Sequence, residues 1–238
     1  MPGLGTVINV ALIIIGGIFG RLFGRFLNDR LTDALPKACG VSVLFLGIGG
    51  CLEGMVTVEG SNIVSGQAVY IVVCMLLGTL VGELLDIEGA FERFGEWLKK
   101  KTGNSKDNKF VDGFLTASFT VCIGAMAIIG SIEDGINHDF SILLTKAILD
   151  MIIIMVMASS MGKGPVFSFI PVAILQGSVT ILAKIIQPVL TDHSLDMLSM
   201  VGSILIFCVG INLVFGKKIR VASMLPSVVF AVVFAYFF

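Results

Sequence analysis

The stretch SILLTKAILDMIIIMVMASSMG, residues 141–162, carries a lysine and an aspartate four positions apart in an otherwise apolar run. On a helix that spacing places Lys146 and Asp150 on one face, within reach of each other. Two chemistries are open to such a pair. It can neutralise itself and sit buried as a structural element. Alternatively, Asp150, near the middle of the run, exchanges a proton or an ion while Lys146 partners it in the unloaded state. Charges at that depth cost a few kcal/mol and occur chiefly along ion and substrate paths, so Asp150 and Lys146 are assigned to a substrate- or ion-binding site.

Other candidates surround the pair. The preceding turn is acidic, with Glu133, Asp134 and Asp139, and Glu133 or Asp134 would guard the approach to Asp150. Upstream, Thr116, Ser118, Thr120 and Gly124 form a stripe too polar for a lipid-facing surface, so Ser118 and Thr120 join the binding set. Glu83 and Asn212 complete it. Glu83, like Asp112, lies near a helix end and could simply reach the interface, while Asn9 and Asn212 are deep enough either to line a cavity or to hold a neighbouring helix. The sequence contains neither H-E-x-x-H nor G-x-S-x-G, and His138 and His193 both fall in loops, so enzymatic activity is not expected. Cys39, Cys51, Cys74, Cys122 and Cys208 are scattered singly and read as packing residues. Neither a metal site nor a cofactor is expected.

The elements that must position these residues follow from composition. Of 238 residues, 56% are hydrophobic and 14% charged, and mean hydropathy is +1.00. Those values define a polytopic membrane protein, an all-α fold with about eight transmembrane helices in a single domain spanning residues 1–238. The net charge of −1 gives no sign of a nucleic-acid partner. Eight apolar segments are predicted at Leu4–Gly24, Lys37–Val58, Val64–Leu85, Val111–Ser131, Phe140–Ser160, Val166–Gln187, Leu195–Phe215 and Ile219–Phe238. Apart from Lys146 and Lys184, which fall within helices, every Lys and Arg lies in alternate connections. By the positive-inside rule, both termini and residues 133–139 are then expected outside, in a bacterial cytoplasmic membrane.

Within the longest connection, Ile87, Phe91, Phe94 and Leu98 recur at helical spacing ahead of three lysines, predicting an interfacial amphipathic helix over about residues 86–101. Gly16, Gly20 and Gly24, and then Gly78 and Gly82, mark faces where helices approach closely. Pro171 and Pro226 predict kinks. VSVLFLGIGGCL (41–52) aligns with GSILIFCVGINL (202–213), and INVAL (8–12) with IPVAI (170–174). These matches are either an inverted three-helix repeat, with halves 1–85 and 166–238 around central helices 111–160, or a by-product of low complexity.

Taken together and in order, GTLVGELLDIE, CIGAMAIIGSIEDG, DFSILLTKAILD, ASSMG and IRVASMLP resemble the DUF554 family of bacterial membrane proteins over essentially the whole chain. The resemblance implies a transporter-like architecture and no particular substrate. Where the family pattern reads A-K-S-x-x-D, this chain has TKAILD, so Lys146 and Asp150 match while Thr145 and Ala147 depart from it. The functional classes that stay open are a secondary transporter of a small solute or ion, which is favoured; a channel; and, more remotely, an intramembrane enzyme or a structural membrane protein. A two-fold homodimer is expected, because eight short helices barely shield a polar path from the lipid bilayer.

Overall fold

The computed structural model describes residues 2–24, 26–59 and 62–237. The helices are α1 (Leu4–Gly24), α2 (Asp29–Met55), α3 (Ala68–Leu84), α4 (Ile87–Lys101), α5 (Phe110–Cys122), α6 (Ala125–Ile136), α7 (Ser141–Met161), α8 (Phe169–Ile186, preceded by a 3-10 turn Gly164–Ser168), α9 (Asp192–Phe215), α10 (Val221–Met224) and α11 (Pro226–Phe234). Among the described residues, five spans are long and apolar enough to cross a membrane, or up to seven if each bent pair forms one span. The chain is an all-α membrane protein.

Three departures from the predicted segments have local causes. The second segment ends early because Val56–Glu59 and Asn62–Ser65, β-branched and alternating, pair antiparallel as a short hairpin, β1 with β2, Val56 opposite Ser65. The fourth segment breaks at Ile123–Gly124 into α5 and α6, inclined at 60°. Gly124 sits at φ 143°, ψ 148°, a conformation open essentially to glycine alone. The eighth segment is helical only from Val221 to Phe234, interrupted before Pro226, and is shorter than the roughly 20 residues of a full crossing. By contrast, α4 occupies the predicted amphipathic stretch: Leu98 is buried, Phe91 and Phe94 pack on the core, and Trp97 is exposed.

Close backbone contact sets the packing. A Cβ on Gly16, Gly20 or Gly24 would overlap the carbonyl oxygen of Met151, Met155 or Ser159, so α1 lies parallel against α7 with its backbone close against that helix along the ridge. Gly78 and Gly82 meet Ser227 and Ser223 in the same way, joining α3 to α11 and α10. Further pairings join α2 with α9 and α8 with α6. Polar contacts gather the basic connections at one end of the bundle. Lys217 bonds Glu88 at 3.1 Å and also Glu92, Arg220 bonds Glu83 at 2.5 Å, and the Lys163 N–H donates to Asp107 at 3.3 Å. At the opposite, acidic end, the Gly5 N–H donates to Asp134 at 2.9 Å.

Candidate functional site

Lys146 and Asp150 form the ion pair that their spacing suggests. The ammonium lies 2.6 Å and 2.9 Å from the two carboxylate oxygens, with the residues 7% and 3% exposed. A third partner comes from the break in the fourth segment: Lys146 Nζ donates to the Val121 carbonyl at 2.6 Å. A carbonyl near a helix end has no partner in its own helix, so the interruption between α5 and α6 supplies an acceptor inside the bundle that a continuous helix would withhold. Asp150 is held from the other side by α1, where Asn9 Nδ2 donates to it at 3.1 Å and to Gln176 Oε1 on α8 at 3.3 Å. The glycine ridge that brings α1 onto α7 makes the first of these bonds reachable.

One turn toward the acidic end lies a second polar layer. Asp134 is fully buried and accepts the Gly5 N–H through one oxygen. Its other oxygen has no hydrogen-bond partner among the described residues, and the same holds for Thr6 Oγ1, Thr180 Oγ1, Asn9 Oδ1 and Gln176 Nε2. Five orphaned polar atoms within three adjoining helices are unusual for a packed interior, where such groups are nearly always satisfied.

The remaining sequence-predicted residues are dispersed. Ser118 is buried and bonds back to the Phe114 carbonyl at 2.6 Å, and Thr120 bonds the Thr116 carbonyl at 2.7 Å. Ser118 also lines an apolar cavity of about 500 Å³ whose wall includes Cys122, Ile123 and Gly124, so the helix break borders that cavity. Thr116 and Asp112, on the Thr120 side of α5, open instead onto a smaller pocket of about 170 Å³ at the basic end, together with Asn212, Glu88 and Lys217. Asn212 is taken up by its own loop: its oxygen accepts the N–H groups of Lys218 and Ile219 at 2.8 and 2.9 Å, and its amide donates to the Ile219 carbonyl at 2.7 Å. Glu83 is half-exposed at the basic end, bound to Arg220. Glu133 accepts from Asn137 at 2.6 Å at the acidic end and does not reach the ion pair.

Gln176, Thr6 and Thr180 escaped the sequence reading, and Asn9 was weighed there without being assigned. Their signal was present: Thr6 and Asn9 lie three apart in one apolar helix, and Gln176 and Thr180 four apart in another, each a polar pair on a single face. Outside the membrane-spanning part, two acidic groups are held below the usual carboxylate range, Asp86 by Arg93 and Asp139 by the hydroxyl and N–H of Ser141. Lys217 is held above its ordinary value by Glu92 and Glu88, which outweigh its burial.

A bundle of apolar helices with an interrupted span and a buried ion pair beside the interruption defines a polytopic membrane protein with a polar intramembrane site. The model for the family described as "Protein of unknown function (DUF554)" matches residues 4–236, and the chain belongs to that family. It is similar to the "Uncharacterized membrane protein YdfK" of Bacillus subtilis (strain 168), 29% identical, with 94% of this chain and 91% of that protein covered. It is also similar to the "Uncharacterized protein YqgA" of Escherichia coli (strain K12), 25% identical, covering 96% and 94%. No solved structure matches.

Proposed function

We propose that the protein is a secondary transporter of a small solute or ion, coupled to a proton or ion through Asp150. The observation carrying this reading is Lys146, buried in the bundle and shared between Asp150 and the Val121 carbonyl exposed by the helix break. Interrupted helices with charged partners at mid-membrane are how many transporters build their sites, since irregular backbone is tolerated there only where it serves a polar interior. A proton or cation arriving at Asp150 weakens its hold on Lys146, and the freed ammonium must find another partner. That exchange is a two-state event a transport cycle can use. A polar line supports the reading: Thr120, Thr116 and Asp112 follow one face of α5 from the break to the pocket at the basic end.

The proposal includes inverted halves, 1–85 and 166–238, around the central helices. It is supported by the pairing of counterparts, α2 with α9 and α3 with α11, and by α1 resting on α7 while α8 rests on α6. It also includes a homodimer in the bacterial cytoplasmic membrane with both termini outside, no cofactor and no enzymatic activity. Light scattering of the detergent complex checks the dimer, and single-cysteine labelling checks the sidedness. The transport reading is tested by flux into proteoliposomes across a panel of ions, amino acids and organic acids. Saturable uptake lost in Asp150→Asn is expected. Non-saturating conductance would favour a channel, and flux in Asp150→Asn equal to that of the unmodified protein would refute the assignment.

A further inference from the structure

The layer of α1, α6 and α8 one turn above the ion pair has a chemistry of its own. Asp134 is fully buried, receives a single backbone N–H, and has no basic side chain within ion-pairing distance among the described residues. An ionised carboxylate so placed needs a compensating positive charge. Thr6 and Thr180 are 8% and 9% exposed, and both hydroxyl oxygens lack partners among the described residues. Ser223 and Ser227, pressed against the glycines of α3, also lack hydroxyl partners among the described residues, but other hydroxyls of the bundle are satisfied within their own helices. Ser118, Thr120 and Ser131 all bond back to the carbonyl four residues earlier.

Three contacts put the oxygens in one layer. The Gly5 N–H bond to Asp134 fixes α1 against α6. A Cβ on Gly135 would come 2.6 Å from the Thr180 carbonyl, which fixes α6 against α8. The Asn9–Gln176 bond fixes α1 against α8. Thr6 precedes Asn9 by three residues and Thr180 follows Gln176 by four. Because these two helices run in opposite directions, both steps lead about 5 Å toward the acidic end.

We propose that Asp134, Thr6 and Thr180 form a binding site for a small, largely dehydrated monovalent cation of the sodium class, separate from the Lys146–Asp150 pair. A donor set of oxygens only selects a hard cation. A single carboxylate balances a single positive charge, and among the described residues no cluster of three His, Cys, Asp or Glu side chains exists to hold a divalent ion. The site lies on the acidic-end approach to Asp150, so a cation leaving it meets Asn9 and then the ion pair. Its role as a coupling station rests on the transport reading, whereas binding does not.

The test is thermal unfolding of the purified, detergent-solubilised protein in sodium chloride against choline chloride at equal ionic strength. A saturable sodium-specific rise in Tm is expected, because a ligand of the folded state stabilises it by mass action. The rise should vanish in Asp134→Asn and in the double variant Thr6→Val with Thr180→Val, and persist in the double variant Lys146→Met with Asp150→Asn. If Asp134→Asn does not fold, the threonine double variant decides, since valine keeps the shape and removes the oxygens. No sodium-specific rise in the unmodified protein, its survival in the threonine double variant, or its loss in the ion-pair variant would each overturn the proposal. Flux without a sodium-specific rise would overturn this inference alone, and sodium binding without flux would overturn only the transport reading.

Discussion

Removing one member of the ion pair and removing both should have opposite consequences for stability. Lys146→Met keeps most of the side-chain volume but deletes three hydrogen bonds, two to Asp150 and one to Val121. It leaves a carboxylate that is 3% exposed with Asn9 as its remaining donor. Breaking a buried pair from one side costs about 3–5 kcal/mol, because the surviving charge is stranded. Asp150→Asn strands the ammonium in turn, though the Val121 carbonyl still accepts from it, so its cost should fall at the lower end of that range. The double variant Lys146→Met with Asp150→Asn strands no charge and leaves only the Val121 carbonyl without its donor, so it should recover to within about 1–3 kcal/mol of the unmodified protein, giving a coupling energy of about 3 kcal/mol or more. Unfolding in mixed micelles of sodium dodecyl sulfate and a mild detergent, followed by helical circular dichroism, measures all four species. Additive single changes would show that the two charges do not depend on each other for burial. Full transport by the stable double variant would show that the pair only holds helices together.

Gly20→Val should destabilise by about 1–3 kcal/mol through the collision with the Met155 carbonyl, whereas Gly49→Ala, with nothing within 4 Å, should be neutral or slightly stabilising in the same unfolding assay. Asn212→Ala should cost about 1–3 kcal/mol and raise amide hydrogen exchange at Lys218 and Ile219, whose N–H groups it caps. The lowered pKa of Asp139 means that its contribution is complete above the ordinary carboxylate range, near pH 4, and disappears as pH falls through its native value. Ser141→Ala removes the hydroxyl donor, and the α6–α7 turn should then lose less protection from exchange on acidification than it does in the unmodified protein.

Much of the scaffold was legible in the sequence because the bilayer imposes length and apolarity on each span. The α1 boundaries coincide with the apolar run, and α4 with the amphipathic run. Glycines spaced four apart mark the α1–α7 ridge because close approach demands an absent side chain at each turn. The Lys146–Asp150 contact was legible for a similar reason, since it lies within one helix. Contacts between distant helices were not. Nothing in the local sequence says that Asn9 will meet residues on α7 and α8, or that Asp134 will find the Gly5 N–H, because those encounters depend on how separate spans rotate about their axes. Asn212 looked the same as Asn9 in sequence, a lone amide in an apolar run, yet the turn at Gly216 folds its loop back upon it. The break at Ile123–Gly124 was equally hidden, since its flanks are as apolar as any continuous span.

That break also relocates the ends of two peptide macrodipoles. In an uninterrupted crossing, the partial charges of a helix, about half an elementary charge at each terminus, lie at the two water interfaces and are screened there. Dividing the crossing into α5 and α6 brings the negative terminus of one and the positive terminus of the other into the interior, where screening is weak. The Lys146 ammonium lies at the negative terminus, so its position is fixed by backbone as well as by Asp150. The positive terminus of α6 begins just beyond Gly124, and straightening the chain there would erase both partial charges together, leaving the lysine with a carboxylate and no backbone field.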